Sequence, residues 1–184
     1  MLAVLLASLL SLAPMPADST LLLFDFGQHA EPWRVQNDGV MGGRSKGNVE
    51  IEDGALVFTG TVVTRGGGFT SVLTPVQHDL SAYDGIELRV RGGGRPFELQ
   101  VGDGSRGPRG REVSRRAPFP TSGEWRTVRV AFDDLQTSIH GEAYDAEPLD
   151  RSAIRRLGLY IIDGQDGPFR LEVDWIRAYA ADSR

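Results

Sequence analysis

The chain is 184 residues long, with 40% hydrophobic and 24% charged residues, 23 glycines, 10 prolines and a formal net charge of −5. That length suits one domain with a sizeable core, and the acidic balance argues against a binder that holds nucleic acid by electrostatics. The absence of cysteine excludes disulfides, thiol nucleophiles and thiolate metal sites.

Leu2 to Leu12 is an apolar run. As a helix it would be roughly 17 Å long, too short for a ~30 Å hydrocarbon core. Pro14, Pro16 and the small Ala17 follow, so residues 1–17 read as a secretory signal peptide cut after Ala17, with 18–184 as the mature domain. No Lys or Arg precedes the run, which leaves a buried N-terminal helix or an uncleaved short anchor as rival readings. No later segment has the length and apolarity of a membrane span. The mature chain is expected to be exported, in the periplasm or secreted.

From residue 20 onward the apolar residues alternate with period two, the mark of half-buried strands. Leu21–Phe26 opens the series. Asn48–Phe58 reads as two strands around Asp53-Gly54, a hairpin dipeptide that tolerates positive φ. Ile86, Leu88 and Val90 share one face, as do Phe97, Leu99 and Val101, then Val128, Val130 and Phe132, then Leu157, Leu159 and Ile161. Tyr160 and Ile162 fall on the opposite face of that last strand. Phe169–Ala180 closes the chain. Asp150 is placed to cap one short turn before Ile154. Two runs are expected as surface connections. Gly102–Arg116 carries five arginines among glycines and offers a contact for an anionic partner. Thr137–Asp150 is acidic, and Glu142, Asp145 and Glu147 offer an alternative reading as a Ca²⁺ site, at a spacing unlike an EF-hand loop. The pattern predicts an all-β protein, an antiparallel β-sandwich without a second domain.

The stretch Asn37–Gly47, NDGVMGGRSKG, contains Gly43-Arg44-Ser45-Lys46-Gly47, a G-x-S-x-G match. A hydrolase elbow needs a strand before the serine and a helix after it. Here a strand follows, so Ser45 is not expected to act as a nucleophile with His78 or His140. The same context removes a phosphate loop, because no helix N-terminus follows the glycines. His29, His78 and His140 are scattered without metal-ligand spacing, and no zinc site or cofactor is expected. Asp133 and Asp134 are neighbours at a strand end, pointing to opposite faces, and read as turn residues. Trp33 and Trp125 stand at strand starts and are candidates for stacking against a sugar. Trp175 alternates with Leu171 and Val173 and is assigned to the core. Within Asn37–Gly47, the Asp38-Gly39 and Gly42-Gly43 pairs are expected at positive φ, with Met41 plugging the core. Valine at Gly42 or Gly43 should destabilise, and alanine at Ser45 should barely do so.

Several segments, in order, resemble one family. They are Trp33–Ser45 (WRVQNDGVMGGRS), Phe58–Gly60, Gly67–Val72 (GGFTSV), Asp79–Gly92, Gly123–Trp125, Ile154–Leu159 and Gly167–Ile176 (GPFRLEVDWI). Together they look like the complex I intermediate-associated protein 30 family. The resemblance implies a jelly-roll sandwich like galactose-binding domains. It also implies a non-enzymatic protein-binding module, since the mitochondrial members are assembly factors for NADH:ubiquinone oxidoreductase. The secretory-type leader and Thr64-Arg65 before the glycines depart from those members. A chaperone or scaffold for an envelope or respiratory complex is the reading that results, with Asn37, Asp38, Met41, Arg44, Ser45, Phe69 and Ser71 as its candidate binding loops. The sandwich also resembles carbohydrate-binding modules, which gives carbohydrate binding as the alternative. Such modules often hold a structural Ca²⁺ near the first and last strands, and Asp25 and Asp174 are its weak candidates here.

Overall fold

The computed structural model describes residues 19–27 and 32–181. The expected signal peptide and His29 lie outside them, and so does the side chain of Met41. Thirteen strands follow in order: β1 Thr20–Asp25, β2 Arg34–Asn37, β3 Lys46–Glu52, β4 Ala55–Val62, β5 Thr70–His78, β6 Gly85–Gly92, β7 Phe97–Gly102, β8 Ser114–Phe119, β9 Arg126–Ala131, β10 Gln136–Ile139, β11 Glu142–Ala143, β12 Ile154–Ile161 and β13 Gly167–Tyr179. One sheet runs β3-β4-β13-β6-β9, with β1 also on β13; the other runs β11-β10-β8-β7-β12-β5-β2. Every strand pair is antiparallel. The result is a jelly-roll β-sandwich.

Alternation explains the packing. Ile86, Leu88 and Val90 of β6 are fully buried, facing Leu157, Leu159 and Ile161 of β12 within one continuous core. Four rings join the sheets. Phe58 and Phe169 from the first sheet meet edge-to-face at 4.8 Å, and Phe97 from the second sits 6.0 Å from Phe169 and 6.2 Å from Phe119. Such contacts add to the area each ring removes from water. The expected hairpin between β3 and β4 turns on Asp53 and Gly54, both at positive φ.

Both runs expected as loops differ from that reading. Gly102–Arg116 contains the start of β8, and Arg115 is 1% exposed. Its guanidinium donates to Asp103 Oδ1 at 3.0 Å and to the Glu147 carbonyl at 2.8 Å. Thr137–Asp150 contains the small β10–β11 hairpin, turned at His140 and Gly141. Asp150 caps the turn Arg151–Ala153 as predicted, accepting from the Ser152 amide. Asp133 lies in the turn Phe132–Asp134 and pairs with Arg151 at 2.8 Å.

Candidate functional site

The candidate loops meet at one end of the sandwich. Asn37 ends β2, and Asp38–Met41 forms a single 3-10 turn that stops at Gly42, whose φ is +82. Gly42 alone of the two expected pairs has positive φ; Asp38-Gly39 instead starts the turn. The turn aims the Asp38 side chain inward, where it is fully buried. Its Oδ1 accepts from the Ser45 amide at 3.0 Å. Its Oδ2 accepts from the Ser45 hydroxyl and from the Gly68 amide, each at 2.7 Å, and from the Phe69 amide at 3.4 Å. One carboxylate thus ties 37–45 to 68–69. Asn37 adds a second tie, its Oδ1 accepting from the Gly47 amide at 3.0 Å and from the Thr70 hydroxyl at 2.6 Å.

The glycines make room for this. A Cβ on Gly43 would lie 2.1 Å from Asp38 Cγ, and one on Gly67 would lie 2.4 Å from Asp38 Oδ2. Burial works to raise the Asp38 pKa. The donors at Gly68, Ser45 and Phe69 outweigh it, holding the carboxyl below its ordinary value. An anion kept by three amides and a hydroxyl is a structural clasp.

Ser45 belongs to that clasp. It is 3% exposed; its hydroxyl donates to Asp38 and accepts from the Val63 amide at 3.0 Å. These bonds argue against the expectation that Ser45→Ala is nearly silent. That variant should cost about 1–3 kcal/mol, because a buried donor and acceptor lose their partner. Gly43→Ala should cost more, since its methyl overlaps the carboxylate. Thermal unfolding of both variants checks this, and an unchanged midpoint for Ser45→Ala would contradict the placement.

Of the other candidate loop residues, Ser71 is buried and donates to the Gln36 carbonyl at 3.1 Å. Phe69 is half-buried against Tyr160, ring centroids 6.2 Å apart. Arg44 is exposed, together with Gly39, Gly42 and 64–67. The polar groups of Asn37, Asp38, Ser45 and Ser71 are thus spent inside the fold, and the rim with Arg44 faces outward.

The tryptophans fall differently from their expected places. Trp33 is 8% exposed and packs on Phe24 at 5.3 Å and Phe26 at 6.2 Å, so no ring face is open to a sugar. Its indole lies two residues before Val35, which packs on the core, and so shares that inward parity. Trp125 is half-buried, with the Arg91 and Arg89 guanidiniums 4.8 and 5.6 Å from its ring. Trp175, assigned to the core, is half-exposed beneath Arg177. The shifted register between Val173 and Trp175 turns it outward. Asp25 accepts from the Gly27 amide, and Asp174 pairs with Arg89 at 3.4 Å. Among the described residues, no three of His, Cys, Asp and Glu are grouped to hold a metal ion.

Sequence reading missed the outer face of the second sheet. Gln100 of β7 and Tyr160 of β12 alternate with core residues and point away from the core. Gln100 is nevertheless 3% exposed, and its Oε1 has no hydrogen-bond partner among the described residues. Tyr160 stands between Phe69 and the Arg116 guanidinium, and burial pushes its hydroxyl pKa up. The signal was Tyr160 itself, an aromatic on the wet side of an alternating strand.

A family model described as Complex I intermediate-associated protein 30 matches residues 23–173. The mouse protein named complex I intermediate-associated protein 30, mitochondrial, is 26% identical over 172 residues, covering 81% of this chain. The chain spans about half the length of that relative, 52%. Among solved structures, a family 11 carbohydrate-binding module from Clostridium thermocellum, in complex with a β-1,3-1,4-mixed-linked tetrasaccharide, aligns with TM-score 0.66 at 14% identity. It covers 92% of this chain and 100% of its own. A family 30 carbohydrate-binding module aligns with TM-score 0.54 at 17% identity, covering 88% and 91%. At these identities the likeness is one of fold.

Proposed function

The chain belongs to the complex I intermediate-associated protein 30 family, and from that premise we propose that it is a non-enzymatic module that binds a protein partner and supports assembly of a larger complex. The observation that carries this reading is the family match over residues 23–173. It is supported by the site: the one serine in a nucleophile-like motif bonds to a buried carboxylate and not to a histidine. The exposed rim around the clasp, Gly39, Gly42, Arg44 and 64–67, is the contact surface in this reading. The module acts outside the cytoplasm, as the leader suggests; N-terminal sequencing of the mature protein in a cell fraction tests that part. A photo-crosslinking residue at position 44 should trap one reproducible protein in the native host, and one at exposed Glu142 should not. Identical capture from both positions, or none from either, would contradict the proposal.

Carbohydrate binding is a second reading, favoured by one observation. The outer face of the second sheet buries polar groups, with Gln100 Oε1 unpartnered among the described residues. The family 11 relative in fold is described with a bound tetrasaccharide. Glycan-array binding that Gln100→Ala abolishes would support it, and an array without binding would remove it.

A further inference from the structure

A cleft of about 530 Å³ opens between the 103–112 segment and the start of β12. It is lined by Asp103, Ser105, Arg106, Glu112, Asp150, Arg155 and Arg156. The geometry points to a binding site for an anionic group, a carboxylate or a phosphate, held by Arg106 and Arg155. This inference depends on neither reading of the partner given above.

The charges in the cleft are unequally spent. Asp103 is buried, and both its oxygens are taken. Oδ1 accepts from the Ser105 amide at 2.9 Å and from Arg115 at 3.0 Å, and Oδ2 accepts from the Asp150 amide at 3.0 Å. Glu112 pairs with Arg156. Asp150 accepts from the Ser152 amide and hydroxyl. All three carboxylates therefore accept hydrogen bonds, Asp103 and Glu112 from arginines and Asp150 from uncharged Ser152 donors. Two guanidiniums do not have enough. Arg106 is exposed and uses one nitrogen on the Gly110 carbonyl at 2.8 Å. Arg155 is exposed and has no hydrogen bond or ion pair among the described residues. Each keeps several N–H donors in the planar fork that suits carboxylate and phosphate oxygens.

The walls are fixed in advance. Val113 donates to the Ser105 carbonyl at 3.0 Å and Gly107 to the Arg111 carbonyl at 2.7 Å, so the arginine-rich segment is a closed hairpin. The Asp103 clasp joins that hairpin to the segment before β12. A Cβ on Gly104 would lie 3.0 Å from Arg155 Cδ, so the glycine lets the Arg155 stem lie against the loop. Rigid walls reduce the ordering cost of binding.

The test is a titration of the full chain at low salt with inorganic phosphate, and separately with an end-blocked hexaglutamate peptide. Arginine side-chain and backbone amide NMR resonances are read. Saturable shifts at Arg106, Arg155 and Gly104 are expected with at least one probe. Binding should be at least about tenfold weaker in Arg106→Ala/Arg155→Ala, a surface change that leaves the core intact, because charge-assisted bonds are lost. Phosphate alone giving the effect identifies a phosphorylated ligand, and a tighter peptide identifies an acidic protein face. Arg44→Ala should bind like the unaltered protein. Weak, unsaturable shifts spread over all arginines, or equal affinity in the double variant, would overturn the inference.

Discussion

Replacing Asp38 with alanine is expected to lower the free energy of unfolding by about 3–5 kcal/mol, a value reserved for changes that strand buried polar groups. The Ser45 and Gly68 amides and the Ser45 hydroxyl point at a carboxylate that is fully buried. Without it, the Ser45, Gly68 and Phe69 amides lose their carboxylate acceptor, and the Ser45 hydroxyl keeps only the Val63 carbonyl at 3.4 Å. Asp38→Asn should lose nearly as much, because its NH₂ group must face donors. For a domain of this size such a loss moves the midpoint by about 6–20 °C. The effect also has a pH signature. The folded pKa of Asp38 is lowered, so its stabilisation is complete above the unfolded carboxyl value, about pH 4. It is lost as pH falls through the lowered folded value. Acid unfolding of the unaltered protein should therefore be steeper than that of Asp38→Ala. Parallel acid profiles would show that the carboxylate is not held as an anion.

Arg115→Met should be of similar size, about 3–5 kcal/mol, by leaving a buried carboxylate without its cation. Both side chains of the Arg115–Asp103 pair are 2% exposed. Burial works to raise the Asp103 pKa, and the Asp150 and Ser105 donors with the Arg115 charge outweigh it, so the group stays ionised. Asp103→Ala combined with Arg115→Met should cost less than the sum of the two single changes, because neither charge is then left alone. Chemical denaturation of the four proteins in the cycle measures this. Strict additivity would contradict the pairing.

Most of the sandwich was legible where the inward residues are large and apolar. β6, β7, β9, β12 and β13 follow directly from alternation. β5 and β8 did not, and the reason is chemical. β5 sends Thr70 and Thr74 inward, and β8 sends Arg115 into a buried pair, so polar residues occupy core positions. A run of arginines and glycines reads as solvated loop unless its counter-ion, here Asp103, is known to lie across a turn. The site was legible as a family motif but not as a mechanism. Asp38 reads as a turn residue because its donors come from residues up to 31 positions away. Ser45 reads as a loop residue in a nucleophile-like motif, and its bond to Val63 is invisible to spacing. Gly43 and Gly67 were the available clue. Their positions at the clasp require close approach, not positive φ, since neither has it.

Amide hydrogen exchange tests the clasp most directly. The Ser45 and Gly68 amides lie in segments without strand pairing, yet both donate to one buried carboxylate. They should exchange as slowly as the central amides of β6 and β13, through global unfolding alone. Exposed Arg65 nearby should exchange at loop rates. Fast exchange at Ser45 and Gly68 would mean that the motif is an open loop and that Asp38 does not hold it closed.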